Sequence, residues 1–194
     1  MIINRCKMKN LLFVFVVLFC SCAWSQQSNI ESKDQYDSDF YQYIIPYKQT
    51  EIDSIILNND YTIFFAWTEW CGGGHFHLKE DLFPFLKVKP NNIGVVSLYC
   101  GSTDKAIALL KENDCRYPVY LLSDSFGGFD KIKFNRFFKK IFKNYKSVNY
   151  VPIVILCDSQ KQILNWNKVN KDYDGIGSAI LLLKNKYFFD FEND

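Results

Sequence analysis

The chain has little net charge, no apolar run long enough to span a bilayer, few cysteines outside its first residues and no internal repeat. Each shortage excludes something. Arg5, Lys7 and Lys9 come before residue 22 with no acidic residue among them. Removing them from the 23 basic residues leaves 20 against 21 acidic ones, so the folded part offers no electrostatic case for nucleic acid or an anionic membrane surface. The longest N-terminal apolar run, Leu11 to Phe19, falls short of the roughly 20 residues a spanning helix needs. Four cysteines, Cys71, Cys100, Cys115 and Cys157, lie beyond residue 22, too few for a disulfide-stapled mini-domain. No second domain is marked.

What is present points to one globular domain with short extensions. Apolar residues make up 48% of the 194 and aromatic ones 18%, enough to fill a sizeable core. The three early cations followed by the Leu11–Phe19 run read as an export signal over 1–22. Two endings fit. Cys22 after Ser21 loosely matches a lipoprotein cleavage site, which would acylate Cys22 and tether the chain to a membrane, and the small residues around Ala23 also suit ordinary secretion. Residues 23–45, rich in Gln, Ser and Asp over 26–39, read as a flexible tether, and 46–194 as the domain. The expected location is therefore exported, periplasmic or anchored in the cell envelope. The membrane is a partner only through a lipid on Cys22.

Strand and helix signals alternate along the domain. Helices are expected over 50–57, from the glycines at 72–74 to about Leu86, over 102–113 with Ser102 as cap, over 131–146 and over 177–187. Buried strands are expected at Tyr61–Trp67, Ile93–Tyr99, Val119–Leu122 and Val151–Cys157, the last turning at Asp158–Gln160 into Ile163–Trp166. The segment 131–146 is strongly amphipathic, with Phe134, Phe137, Phe138, Ile141, Phe142 and Tyr145 opposite lysines that read as a solvated face. This order implies an α/β fold, a mixed central sheet flanked by helices on both faces.

The informative stretch is Ala66-Trp67-Thr68-Glu69-Trp70-Cys71-Gly72-Gly73-Gly74-His75, a buried strand feeding a Trp-Cys pair at a helix start. Unpaired N–H groups and the positive dipole end there favour an anion, which is the ground for expecting a reactive thiol at Cys71. Trp67, Glu69, Trp70, Cys71 and Gly72 match the pattern of the thioredoxin-like superfamily. Val151-Pro152, about 80 residues on, stands where that superfamily keeps a cis-proline against the cysteine. Between them, Gly94–Leu98 and Tyr117-Pro118-Val119 resemble the longer periplasmic thiol-disulfide reductases. The resemblance spans roughly residues 50–187. It implies a thiol-disulfide oxidoreductase that needs no cofactor and takes protein or small-molecule thiols and disulfides as partners. Cys71 and Trp70 would be the catalytic residues, and Gly72, Gly73, Gly74, Val151 and Pro152 the client-binding surface.

The chain departs from that pattern twice. Gly74 stands where the resolving cysteine belongs, so the motif is C-G-G-G, and Phe65 stands where thioredoxins keep a buried carboxylate. Both losses argue against an ordinary dithiol cycle and leave single-cysteine exchange or mixed-disulfide holding. Cys100 is the credible atypical resolver, because the parallel strands end on one edge of the sheet. Cys115 follows a helix that runs about 15 Å back, and Cys157 lies about 17 Å along a strand from Pro152. Two further readings stay open. His75 and His77, the only histidines, could join Cys71 as ligands for copper or another soft metal, or the domain could be a redox-inactive binding module. Thr68-x-x-Cys71 also echoes the peroxiredoxin pattern, although Phe64 replaces its proline.

Overall fold

Strand β2 (Tyr61–Thr68) is buried on both faces because nearly every residue in it is apolar, and the rest of the domain is arranged around it. The computed structural model describes residues 39–122, 126–166, 177–183 and 185. The expected export signal, with Cys6, Cys20 and Cys22, and most of the expected tether lie outside the described residues. The chain divides into two units, Met1–Gln42 and Tyr43–Asp194. In the first, the described residues 39–42 include a single helical turn, with Gln42 Nε2 donating to the Asp39 carbonyl at 2.8 Å.

The second unit is a six-stranded mixed sheet in the order β1-β4-β3-β2-β5-β6. Besides β2, its strands are β1 (Ile44–Pro46), β3 (Ile93–Cys100), β4 (Val119–Leu121), β5 (Ile153–Asp158) and β6 (Ile163–Trp166). The first four in spatial order run parallel, while β5 pairs antiparallel with both β2 and β6. Helices are α1 (Gln49–Leu57), α2 (Gly72–His77), α3 (Phe83–Val88), α4 (Thr103–Glu112), α5 (Asp130–Ile141) and α6, residues 177–183. This is the expected thioredoxin-like α/β arrangement, with helices on both faces of the sheet.

One face carries Phe64, Ala66, Val96, Leu98, Ile155 and Cys157, packed with Ile52 and Ile56 of α1 and Phe134, Phe137, Phe138 and Ile141 of α5. The opposite face, with Ile63, Phe65 and Trp67, is equally buried, and Trp67 meets His75 of α2. Leu78, Leu82, Phe83 and Phe85 are buried outside the first cluster.

Four differences from the sequence reading have physical causes. The helical run from Gly72 to Val88 contains a π turn, Leu78–Leu82, just before Pro84, which has no N–H for the regular ladder. The expected helix 131–146 ends at Ile141, and Phe142 is extended. Phe142 and Tyr145 are buried from the loop instead, because the Asn135 side chain accepts from Val148 N–H at 2.9 Å and Tyr145 Oη at 2.8 Å, and donates to the Val148 carbonyl at 2.8 Å. Strand β5 begins at Ile153 rather than Val151, since Pro152 has no N–H to give a ladder. Strand β1 had no counterpart in the reading of the sequence, and it crosses the 45/46 boundary between tether and domain. No helix among the described residues is long and apolar enough to cross a membrane.

The aromatic cluster sets the stability of the α5 face. Phe138 is fully buried, with ring centroids 5.2 Å from Phe137, 5.3 Å from Tyr145, 5.9 Å from Phe64 and 6.2 Å from Phe142. Phe138→Ala is expected to lower unfolding stability by about 3–5 kcal/mol, read as a shifted denaturant midpoint at constant m-value. A loss below about 1 kcal/mol would show that this cluster is not the packed core described here.

Candidate functional site around Cys71

Strand β2 delivers the chain to the site, and the turn after it is pinned from several sides. Cys71 N–H donates to the Thr68 carbonyl at 3.3 Å, closing the turn. Trp67 is locked beneath it: its indole N–H donates to Ser97 Oγ at 3.0 Å, and its ring lies 4.3 Å from that of Tyr99. Glu69 ties the turn to the start of α4. Its carboxylate accepts from Ser102 N–H at 3.1 Å, from Lys105 Nζ at 3.1 Å and from Tyr99 Oη at 3.4 Å. The Ser102 N–H, and then Lys105, hold the Glu69 carboxyl below its ordinary range. Burial, and then the Glu69 charge, push the Tyr99 phenol up. Gly101 permits this approach, because at φ +156° a Cβ there would run into the Tyr99 ring.

Cys71 is the N-cap of α2, with extended backbone at φ −90° and ψ 95°. Its sulfur accepts from Gly74 N–H at 3.3 Å and donates to the Val151 carbonyl at 3.2 Å. The Val151–Pro152 peptide is cis. Three residues singled out in the sequence, Cys71, Val151 and Pro152, therefore meet across 80 positions. The Gly74 bond serves thiol and thiolate alike and strengthens with charge, whereas the Val151 bond exists only while the sulfur carries its proton. The sulfur is recessed, with Cys71 9% exposed, beside a Trp70 that is 64% exposed.

The three glycines do different things. Gly72 and Gly73 are exposed, and a Cβ on either would meet nothing within 4 Å, so they form an open floor. Gly74 is buried against Trp67 and Cys71. A Cβ there would lie 3.5 Å from both Cys71 Cβ and Cys71 Sγ. Phe65 is fully buried where the resemblance implies a carboxylate.

The remaining cysteines sort by register. Cys100 pairs with Thr68, at the site's end of the sheet, whereas Cys157 pairs with Thr62 at the far end. Cys115 follows α4 and donates its N–H to Leu110. None of the four is in a disulfide. Burial pushes the Cys115 thiol up to about 11 and the Cys157 thiol up to about 12.

The two histidines each have a neighbour other than the Cys71 sulfur. The ring of His75 packs edge-on to Trp67 at 5.8 Å, and His77 Nδ1 bonds to Asp81 Oδ2 at 2.7 Å. Among the described residues no group of three or more His, Cys, Asp or Glu could hold a metal ion.

One contact was not visible in the sequence. The Trp70 indole N–H donates to Asp130 Oδ2 at 2.8 Å, which holds the exposed ring against the first turn of α5. Gly127-Gly128 ahead of an amphipathic run could have marked that helix start. Its partner 60 residues away leaves no local trace.

No protein-family model and no curated protein matches the chain. Several solved structures do. A thioredoxin-related protein from Neisseria meningitidis serogroup B is 18% identical, with a TM-score of 0.47, covering 69% of this chain and 91% of its own. The exposed lipoprotein thioredoxin Etrx1 of Streptococcus pneumoniae is 14% identical, with a TM-score of 0.46 and coverages of 69% and 89%. A thiol:disulfide interchange protein from Chlorobium tepidum is 8% identical, with a TM-score of 0.48 and coverages of 65% and 81%. Likeness at this level does not bear on activity. The thioredoxin-like arrangement rests on this chain's own strand order and on the meeting of Cys71 with the Val151 carbonyl at the cis Val151–Pro152 peptide.

Two outcomes follow from the geometry. At pH 8, Cys115 and Cys157 should alkylate at least about a hundredfold more slowly than a free-peptide thiol, while Cys71 takes up label first, as read by peptide mass mapping. Comparable labelling of all sites would contradict the burial described. Gly74→Cys should form a disulfide with Cys71 in air, since a Cβ–Cβ separation of 3.5 Å falls within the usual span. The variant would lose a pair of titratable thiols and regain them on reduction; a full thiol count after oxidation would show that the geometry at Gly74 is wrong.

Proposed function

We propose that the protein is an exported thiol-redox protein that acts through its single motif cysteine, Cys71, by monothiol exchange or by holding a client as a mixed disulfide. In the step proposed, the Cys71 thiolate attacks a client disulfide and forms a new S–S bond. The client's own S–S bond breaks, and its second sulfur leaves as a thiolate that takes up a proton from solvent. Cys71 is oxidised to the mixed disulfide as the leaving sulfur is reduced. With glycine at 74, release falls to an external thiol or to Cys100 as an atypical resolver. Export is inferred from the N-terminal charge and apolar pattern, with Cys22 as the candidate lipid site.

The observation that carries this reading is the meeting of Cys71 Sγ with the Val151 carbonyl beside cis-Pro152. A client sulfur approaching Cys71 comes up against the Val151–Pro152 edge, and Gly72 and Gly73 leave room for its backbone. The recessed sulfur favours a second reading, in which the same groove recognises clients without exchange.

Trapping decides between them. The full chain, reduced and then incubated with oxidised envelope extract, should form adducts that survive non-reducing electrophoresis, collapse with dithiothreitol and vanish in Cys71→Ala. Adducts equally abundant in Cys71→Ala would overturn the exchange reading. Clients retained only non-covalently, and equally by both forms, would favour recognition without chemistry.

A further inference from the structure

We propose that the groove along the outer side of β6 binds an extended, acidic polypeptide segment, which adds to the sheet there as a further strand. This surface is separate from Cys71, and the proposal does not depend on thiol exchange. The starting observation is one cavity of about 980 Å³. Residues 160–166, the hairpin turn and β6, bound it on one side, and residues 141–144 and 146, where the chain leaves α5, on the other. Successive strand side chains point to opposite faces of a sheet, yet Ile163, Leu164, Asn165 and Trp166 all line this one space. A space touched by four successive residues runs along the strand's edge, where the backbone is within reach. The register sets the turn into β6 beside Tyr61, the end of β2 opposite Cys71.

Strand β6 is the last in the sheet, so the N–H and C=O groups on its outer side have no strand partner among the described residues. The opposite edge, β1, is three residues long and ends in Pro46, which has no N–H to offer. Strand β6 contains no proline, and Leu164 within it is 41% exposed. The turn that presents this edge is already fixed. The Asp158 carboxylate accepts from Gln160 N–H at 3.0 Å and from Gln162 N–H at 2.8 Å, and Lys161 Nζ bonds to Asp53 of α1 at 2.7 Å. An edge ordered beforehand loses little freedom when a strand is added to it.

Charge narrows the partner. Three lysines, Lys143, Lys146 and Lys161, line the groove and no carboxylate does. Lys161 is committed to Asp53, whereas Lys143 and Lys146 are exposed and have no acidic partner among the described residues. Lys139 and Lys140, in the last turn of α5, offset the negative end of its dipole. The Trp166 indole N–H is enclosed and meets no acceptor among the described residues. The groove is therefore short of acceptors and of negative charge, and aspartates or glutamates on an added strand supply both. A second copy of the chain, paired edge to edge, would set two such groups of lysines against each other.

The test uses the full chain and three dye-labelled peptides of equal length: alternating Glu and Val, alternating Glu and Pro, and alternating Lys and Val. The Glu-Pro peptide keeps the charge of the first but loses every second N–H. By fluorescence anisotropy, the Glu-Val peptide is expected to bind about tenfold or more tightly than either of the others, the scale of two or more ladder hydrogen bonds. Lys143→Gln together with Lys146→Gln should weaken it about three- to tenfold, as two exposed ion pairs would, and high salt should shrink that difference. Amide hydrogen exchange in residues 162–166 should slow when the Glu-Val peptide is bound.

Equal binding of the Glu-Val and Glu-Pro peptides would show attraction by charge alone and overturn strand addition. Affinity unchanged in the double lysine variant, or exchange unchanged at 162–166, would place the peptide elsewhere and overturn the proposal too. No measurable binding of the Glu-Val peptide would do the same, as would a dimer of the chain that excludes it. Binding that appears only in the full chain carrying Asp190→Asn, Glu192→Gln and Asp194→Asn would assign the groove to the chain's own acidic end, and a separate partner would be ruled out.

Discussion

The site depends on one contact, from the Cys71 sulfur to the Val151 carbonyl at 3.2 Å. It joins the chain leaving β2 to the chain entering β5, antiparallel neighbours in the middle of the sheet. For it to form, the β2–β5 register has to pair Ala66 with Ile153, so that the residues just beyond each strand face one another. The Val151–Pro152 peptide has to be cis, and the loop before it has to be held. Helix α5 does the holding through Asn135, which binds both the N–H and the carbonyl of Val148. One turn earlier the same helix holds the opposite rim through Asp130 and Trp70. A single amphipathic helix, packed by its phenylalanines, thus sets both sides of the cleft.

The missing second thiol leaves this framework intact. Trp67, Glu69 and Tyr99 pin the turn from the β3 side, and a Cβ on Gly74 would lie in ordinary contact with the Trp67 Cβ. Gly74 keeps the one function its backbone can supply, an N–H aimed at sulfur. Phe65 is fully buried at the position where the resemblance implies a carboxylate. In the proposed exchange, a mixed disulfide at Cys71 would find a backbone N–H at position 74 and no thiol there.

Much of the architecture was readable because burial on both faces forces long apolar runs. Strands β2, β3, β5 and β6 and the Ser102 cap of α4 fall within two residues of expectation. The failures share a cause. Strand β1 has three residues, too few to show a period, and its partner β4 lies more than 70 positions away. The end of α5 was missed because Phe142 and Tyr145 continue the apolar spacing, while an asparagine side chain, invisible to periodicity, turns the backbone out of the helix. The π turn before Pro84 shifts helical phase without altering which residue types are apolar.

From its sequence alone this protein determined a mixed α/β fold and the two segments that carry the site, because hydrophobic runs, glycine, proline and a Trp-Cys pair act through local backbone and burial rules. Tertiary structure alone decided that Cys71 meets Val151, that His75 packs against Trp67, and that Asp130 holds Trp70. Hydrogen bonds between side chains 60 or 80 positions apart follow from register and packing. No pattern in either segment records its partner.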